Sequence, residues 1–388
     1  MGNIKMLGAL FLAVAMVVGP VTPIWTGVAE AAKATATPLT RPTAPLRLTT
    51  SPLPIVLNTK PGQSASTDIK IKQSGGDTEQ LQVSLMKFSA TGETGQPKLS
   101  DRGPGDDYFD WVTFDRPTFT APNDVWQTVK MTVNVPKSAA FSYYYAVVFS
   151  RVGDTIKVGN GQSGIAGGTA VLVMMSVDSP GASRSLQLAT FSVAHRVMEF
   201  LPTDFTVRLK NNGNVFVRPG GNIFISQGNK QVGLVTVNSE LGMVLSGSTR
   251  AFSAEWNYGF PYFNDVKIDG KNKIDKKGNP VRVLNWGLPE PDKTSAISSG
   301  EDDFIAKQSR NPLTNFRFGE YTAHLLITYP DNFGHDVPME STLTFWVIPW
   351  RMLLVVLAIL LVVGFGLYSS ARRAMGWTKV VRKFGKRR

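Results

Sequence analysis

Residues 128–136 read TVKMTVNVP, and this stretch decides the fold class because every second side chain is apolar. A β-strand turns successive side chains to opposite faces of a sheet, so the alternation predicts a half-buried strand. Other segments alternate in the same way: 67–72, 81–85, 141–149, 205–210, 215–217, 223–225, 235–237, 321–329 and 343–347. Since turn residues separate these short runs, we predict an all-β ectodomain of two tandem immunoglobulin-like β-sandwiches.

The predicted domain boundaries follow changes in composition. Residues 32–50 are rich in proline and threonine, which favours an extended stalk. The first sandwich is predicted over 51–178, and the turn Asp178-Ser179-Pro180-Gly181 separates it from the second, over 182–349. The second sandwich carries an insertion over about residues 256–316, which is long for a connection inside a compact domain.

Two apolar runs bracket the predicted sandwiches. The first lies within residues 1–31, follows Lys5 and ends at Ala29-Glu30-Ala31, which is typical of a secretory signal peptide. The second, residues 350–371, is predicted to be one C-terminal transmembrane α-helix, because about 20 apolar residues in a helix span roughly 30 Å. The basic tail, residues 372–388, predicts a cytoplasmic C-terminus and extracellular sandwiches.

The net charge of +12 at pH 7 is unevenly distributed. The tail contains eight Lys and Arg residues and no acid, whereas the predicted extracellular part is nearly neutral, which argues against nucleic acid as a partner. The tail suits either a basic amphipathic helix on the inner leaflet or an unstructured stop-transfer segment. The residues predicted to lie at the membrane interfaces are Trp346, Trp350, Trp377, Phe384, Arg372, Arg373, Lys379, Arg382 and Lys383.

The chain contains no cysteine. Secreted eukaryotic ectodomains of this size usually carry disulfides, so the composition favours a bacterial cell surface, with the protein held in the cell membrane. The same absence excludes thiol catalysis, disulfide exchange and lipoprotein anchoring through cysteine.

Five segments of the first predicted sandwich occur in a familiar order: Pro52–Pro54, Lys60–Gln63, Asp110–Phe114, Val135–Lys137 and Tyr143–Phe149. In this order they resemble the peptidoglycan-binding domain of the WxL-interacting bacterial surface proteins. The resemblance implies a signal peptide, a second β-sandwich, one C-terminal transmembrane helix and a basic tail. It also implies that the first domain associates with the cell wall and that the second binds a ligand or a partner protein.

The predicted insertion is rich in aromatic residues. Trp256, Tyr258 and Tyr262 lie close together in sequence, and Trp286 follows among Gly, Pro and Lys residues. Aromatic rings stack on sugars and anchor protein partners, so these four residues are candidates for a ligand or partner site. The alternative is that the rings fold back onto the sandwich as a local core.

The sequence gives no catalytic signature, and we predict a protein that is not an enzyme and uses no cofactor. Gly159–Gly164 matches GxGxxG, but the residues after it read as a strand where a dinucleotide site needs a helix. Asp106, Asp107 and Asp110 suit either a calcium site or an ordinary solvated turn. The three histidines have no spacing for a metal site or a catalytic triad, and no metal site is predicted.

These observations predict a non-enzymatic binding or scaffold protein, anchored in the membrane and engaging the cell wall or other surface proteins. One alternative is an extracytoplasmic chaperone or assembly factor that pairs a strand with secreted subunits, which requires an exposed sheet edge. A second alternative is a glycan hydrolase, which requires carboxylates that converge in a cleft.

Overall fold

The structure is a computed structural model that describes residues 46–154, 156–158, 165–289 and 311–384. These described residues belong to one unit of the chain. The predicted signal peptide lies outside the described residues, as does nearly all of the predicted stalk. The last residues of that predicted stalk already belong to a strand, which begins at Leu48.

The first sandwich contains two sheets that pack face to face. Its strands are β1 (Leu48–Ser51), β2 (Ile55–Thr59), β3 (Ser64–Gln73), β4 (Glu79–Thr91), β5 (Gln96–Ser100), β6 (Val112–Phe114), β7 (Thr118–Ala121), β8 (Trp126–Asn134), β9 (Phe141–Arg151), β10 (Lys157–Val158), β11 (Ile165–Ala166) and β12 (Gly168–Val177). One sheet has the order β1-β3-β8-β6 and the other β2-β12-β9-β4-β5, with β7 beside β4. A 3₁₀ helix, Asp107–Trp111, precedes β6.

The alternating residues form the first core, as predicted. Ile69 of β3 lies opposite Val129 of β8, and both are fully buried. The opposing sheet contributes Val147 and Val173, which are equally buried. Each buried aliphatic side chain contributes about 1.5–3 kcal/mol of hydrophobic free energy, so the alternation itself stabilises the pairing register.

The second sandwich follows after residues 178–185. Its strands are β13 (Leu186–Val193), β14 (Val197–Met198), β15 (Thr203–Asn211), β16 (Gly220–Gln227), β17 (Lys230–Val237), β18 (Thr249–Trp256), β19 (Tyr262–Asp265), β20 (Lys267–Ile268), β21 (Lys271–Asn272), β22 (Arg282–Asn285), β23 (Gly319–Pro330) and β24 (Asp336–Val347). The main sheets have the orders β13-β15-β18 and β14-β24-β23-β16-β17. The predicted insertion contains two small sheets, β19-β22 and β20-β21, and a 3₁₀ helix, Pro312–Asn315.

Both sandwiches use the same strand arrangement. In the first, β1 pairs antiparallel with β3, and the chain then crosses to the other sheet, where β2 runs parallel to the last strand, β12. In the second, β13 pairs antiparallel with β15, and β14 then runs parallel to the last strand, β24. The prediction of an all-β fold with two sandwiches is therefore confirmed, and the shared topology adds that they are structural repeats.

Strand β9 differs from the predicted half-buried strand because both of its faces are covered. Tyr145, Val147 and Phe149 point into the first core. Ala146 and Val148 on the opposite face belong to a second apolar cluster, which includes Phe216 and Met243 of the other sandwich. The two sandwiches therefore share an apolar interface.

The predicted strand at residues 215–217 is wrong. Val215 and Val217 are buried, but only Val217 makes an isolated bridge, to Val244. The segment is held by the buried side chain of Asn211, whose amide donates to the carbonyl oxygens of Val215 and Val244 at 2.9 and 3.0 Å. A side-chain amide thus replaces the ladder that a strand would supply.

The chain ends in one long helix, α1 (Trp350–Phe384), of 35 residues. Its first part, Trp350–Arg373, is long and apolar enough to cross a membrane, with a mean hydropathy of 2.7 over an 18-residue window, and its side chains are largely exposed. The helix continues into the predicted tail as far as Phe384, and the placement of the tail on the inner leaflet stays a prediction. Side chains beyond Arg373, including Trp377, Lys379, Arg382 and Lys383, lie outside the described part, and their membrane contact stays a prediction.

Candidate functional site: an open sheet edge in the second sandwich

The last strand of the second sandwich has one open edge. β24 pairs with β23 along its whole length, from Asp336 to Val347. On its other edge only Trp346 and Val347 are paired, with the two residues of β14. Among the residues that the structure describes, no strand pairs with that edge over 336–345. An unpaired edge of this length is a template for another strand.

The direction of the free backbone groups follows from the bonds at the paired end. The N–H groups of Trp346 and Ile348 point to β14, where they donate to Arg196 and Met198 at 2.7 Å. Backbone groups of a strand alternate in direction, so the N–H and C=O groups of Thr344, Thr342 and Glu340 face the same side. Three residues therefore present outward donors and acceptors in register.

The same edge has a feature that limits unwanted pairing. Pro338 lies two residues before Glu340, so its backbone also faces the open edge, where it has no N–H to donate. Proline is tolerated in a sheet where the missing donor faces away from the neighbouring strand. The usable edge therefore covers residues 340–345, and Pro338 ends it on the side away from α1.

A groove runs beside this edge. It has a volume of about 370 Å³ and lies between the end of β13 and the middle of β24. Phe191, Val193 and Leu343 line it and pack on the second core, while Arg196 supplies a positive charge. The groove can thus accept an apolar side chain from a strand that pairs with β24.

The charged residues on the outer face of β23 and β24 pair with each other. The side chain of His324 is exposed, and its Nε2 is 3.2 Å from a carboxylate oxygen of Glu340. This exposed pair contributes little to stability.

The aromatic candidates do not form a common surface. Trp256 is 2% exposed and Tyr258 is 6% exposed, so the prediction that these two rings bind a ligand is wrong. Trp256 packs edge-on against Tyr321 and Phe345 in the second core, because its strand turns it inward. The alternative of a local core is correct for these two residues.

Tyr262 and Trp286 remain at the surface. Tyr262 is half-buried in β19, and its hydroxyl accepts from the side chain of Asn285 at 3.2 Å. Trp286 is 61% exposed and lies edge-on to Phe260, with 6.2 Å between ring centroids. Partner binding by Tyr262 and Trp286 stays a prediction.

A buried arginine that the sequence reading missed holds this region together. The guanidinium of Arg317 donates to the carbonyl oxygens of Tyr258 and Val232 and to the side-chain oxygen of Asn315, and it lies 5.6 Å from the Trp256 ring. Burial lowers the pKa of Arg317 from its ordinary value. Arg317 therefore fixes the loop before β23 to the second core.

The aspartates considered for calcium are engaged by cations of the chain. Asp106 lies 2.7 Å from Nζ of Lys87 and accepts the N–H of Gly103 at 2.9 Å. Asp110 accepts from Nη2 of Arg102 at 2.6 Å. Hydrogen bonds from these cations hold the pKa of both carboxyl groups below the usual range. Within the described residues no group of three or more His, Asp or Glu side chains is arranged to hold a metal ion.

The GxGxxG match, residues 159–164, lies outside the described residues. The residues that follow it form strand β12 from Gly168, so the helix that a dinucleotide site requires is replaced by a strand.

A second cleft, of about 360 Å³, lies between the two sandwiches. Arg250 lines it, donates to the carbonyl oxygen of Met243 at 2.8 Å and fills the space beside Gly95 and Gly242. Burial lowers the pKa of Arg250. Nearby, Glu93 of the β4–β5 hairpin in the first sandwich forms an ion pair with Arg208 of the second. The residues around this cleft therefore connect the two sandwiches.

The sequence and the fold were compared with those of known proteins. No family model and no curated protein matches the chain. Among solved structures, the YadV chaperone is similar over 76% of this chain and 99% of its own, with 11% identity and a TM-score of 0.30.

Two further structures are similar to the same degree. The class 5 fimbriae chaperone CfaA shares 14% identity over 62% of this chain and 99% of its own, with a TM-score of 0.30. The CupB2 chaperone of Pseudomonas aeruginosa shares 9% identity over 61% of this chain and 100% of its own, with a TM-score of 0.29. TM-scores of this size are too low to carry a functional argument, so the open edge of β24 is the feature on which a function can be based.

Proposed function

We propose that this chain is a membrane-anchored, non-enzymatic protein that binds an extended segment of another surface or secreted protein along β24. The observation that carries the proposal is the unpaired edge at residues 340–345 beside an apolar groove. Strand addition of this kind derives affinity from main-chain hydrogen bonds and specificity from pockets for alternate side chains. Of the predicted functions, this edge favours the assembly-factor alternative over a passive scaffold.

The location of the site fits a partner outside the cell. The apolar part of α1 follows β24 after only Ile348 and Pro349. The basic tail supports a cytoplasmic C-terminus, which puts β24 on the outer side of a bacterial cell membrane. A newly exported, still extended chain would therefore meet the edge close to the membrane.

Thr342→Pro should weaken strand addition, because it removes an outward N–H at the centre of the edge. The probe is an immobilised array of ten-residue peptides with apolar residues at alternate positions, incubated with the full chain in detergent. One lost main-chain hydrogen bond of about 1.4 kcal/mol predicts at least a tenfold weaker affinity. The matched control is Thr342→Val, which keeps the N–H group and should bind like the wild type.

Hydrogen exchange gives an independent readout of the same edge. Bound peptide should slow exchange of the outward amides of residues 340, 342 and 344 in the wild type and in Thr342→Val. Equal peptide binding by Thr342→Pro and Thr342→Val, or unchanged exchange at this edge, would show that β24 is not the site.

A second candidate function is cell-wall binding by the first sandwich, and it is supported by how the motif segments come together. The turn at Lys60–Gln63 meets Lys137, whose side chain packs on Gly62, and the backbone of Val135 bonds to that of Gln63. Trp111 lies edge-on to Tyr143, with 4.8 Å between ring centroids. Rings and cations in one domain suit the sugars and carboxylates of peptidoglycan.

Retention of the full chain on purified peptidoglycan tests this second candidate. The double variant Lys60→Ala and Lys137→Ala should reduce retention several-fold, because two exposed cations are lost. Lys98→Ala, an exposed lysine on β5, is the control and should be retained like the wild type. Equal retention of all three proteins, or none by the wild type, would remove this candidate.

A further inference from the structure

The junction between the second sandwich and α1 is held by direct bonds. Only Ile348 and Pro349 separate β24 from the helix, and the N–H of Ile348 donates to the carbonyl oxygen of Met198 at 2.7 Å. Arg351, in the first turn of α1, lies 3.4 Å from the carboxylate of Glu199, which is largely buried. The end of the sandwich is therefore fixed to the start of the helix.

Apolar side chains are exposed at this same end. The loop before β23 exposes Leu313 by 81% and Phe318 by 48% of their surface, and Phe316 is exposed beside them in sequence. On the other side of β24, Val197 and Trp346 are exposed as well. We call these five residues the apolar rim.

The strand register places the apolar rim at the helix entrance. Gly319, the residue after Phe318, lies opposite Val347, three residues before α1 begins. Val197 lies opposite Trp346 in the parallel pair with β14. Neighbouring strands are about 4.8 Å apart, so Phe318, Val197 and Trp346 lie at the level of the first turn of the helix. Leu313 and Phe316 belong to the loop that leads directly into Phe318.

The loop that carries Leu313 is held in one conformation by its polar residues. The side chain of Asn311 accepts the N–H of Leu313 at 2.9 Å. Asn315 is buried and donates to the carbonyl oxygen of Asn311 at 2.9 Å, and the neighbouring Arg317 is buried beneath the loop. These bonds hold Leu313, Phe316 and Phe318 at the surface. Exposing apolar side chains to water costs about 25 cal/mol of free energy per Å² of apolar surface.

We infer that the apolar rim lies in the outer headgroup layer of the bilayer that α1 enters, so that the second sandwich rests on the membrane. The inference depends on the anchoring in the proposed function. Trp and Phe side chains favour this layer. Arg196 and Arg351 lie at the same end, and their positive charges suit lipid phosphates. One acidic residue, Glu320, lies opposite Trp346 and is exposed at this end as well.

The cysteine-free chain allows a direct depth measurement. Single cysteines replace Leu313, Phe333 and Leu360, each carries a nitroxide, and the full chain is placed in bilayers of phosphatidylcholine and phosphatidylglycerol. Phe333, in the turn between β23 and β24, is the matched control because it is 85% exposed, like Leu313, but lies at the other end of a 12-residue strand. Leu360 reports on the middle of the apolar part of α1.

The label at Leu313→Cys should show severalfold more collision with oxygen, relative to a water-soluble nickel complex, than the label at Phe333→Cys. Leu360→Cys should show the highest ratio. Equal ratios at 313 and 333, with a lipid-like ratio at 360, would overturn the inference and leave the anchor intact. A water-like ratio at 360 would overturn the anchor and the inference together. Unchanged melting temperatures confirm that exposed-site labels leave the fold intact.

Discussion

Trp256→Ala should lower the free energy of unfolding of the second sandwich by about 4 kcal/mol, within the range for removing a large buried aromatic ring. The indole is 2% exposed and contacts Tyr321 and Phe345, so alanine leaves a cavity between the two sheets. Its N–H has no hydrogen-bond partner among the described residues, so the loss comes from burial and packing. Calorimetry of the full chain should show a fall in Tm of roughly 10 °C.

Trp286→Ala is the matched control for this experiment. Trp286 is 61% exposed and contacts the ring of Phe260 among the described residues, so its loss should change the unfolding free energy by less than about 0.5 kcal/mol. Similar melting temperatures for the two variants would contradict the placement of Trp256 in the core. The Trp286→Ala protein also tests the predicted partner site without loss of fold.

Gly221→Ala should destabilise the second sandwich by about 3 kcal/mol, the upper part of the range for overpacking. A Cβ at this position of β16 would lie 2.7 Å from the Cα of Ile327 and closer still to the carbonyl oxygen of Leu326. Both atoms belong to the backbone of β23, so they cannot move aside as the end of a side chain can. The two strands would have to separate, which also disturbs the pairing of β23 with β24.

Gly220→Ala provides the comparison at the neighbouring residue of the same strand. No atom lies within 4 Å of a Cβ at Gly220, so this variant should melt within about 1–2 °C of the wild type. Urea denaturation monitored by tryptophan fluorescence measures both proteins. Equal denaturation midpoints for the two variants would show that β16 and β23 are not packed as closely as described.

The sequence predicted most strands because half-buried strands have one apolar face. Ile69 and Val129 are two such positions, and they lie opposite each other in the first core. The pattern does not specify which strands become neighbours. The parallel pairs β2 with β12 and β14 with β24 join the two ends of each sandwich, and no local signal encodes such distant pairing.

The sequence around Trp256 contains a local pattern that predicts its burial. Phe252, Ala254 and Trp256 alternate along β18 and are all buried, so the period of two already turned the indole inward. Composition alone favoured a surface cluster because aromatic residues are common both in cores and at binding sites. Periodicity was the more informative of the two signals here.

The open edge could not be predicted from sequence for a different reason. Whether a strand has a neighbour on each side depends on the whole topology, and β24 has the alternating pattern of any half-buried strand. Pro338 was the one residue that pointed to an edge, since it cannot donate to a central ladder.

The bonded junction at the end of β24 also determines how the protein carries mechanical load. In the membrane-anchored protein proposed above, tension on the sandwiches reaches α1 through Val347, along the axis of β24. All twelve residues of β24 pair with β23, so a pull along the strand loads these hydrogen bonds together, in shear, and not one after another. We expect the second sandwich to resist extension along this strand.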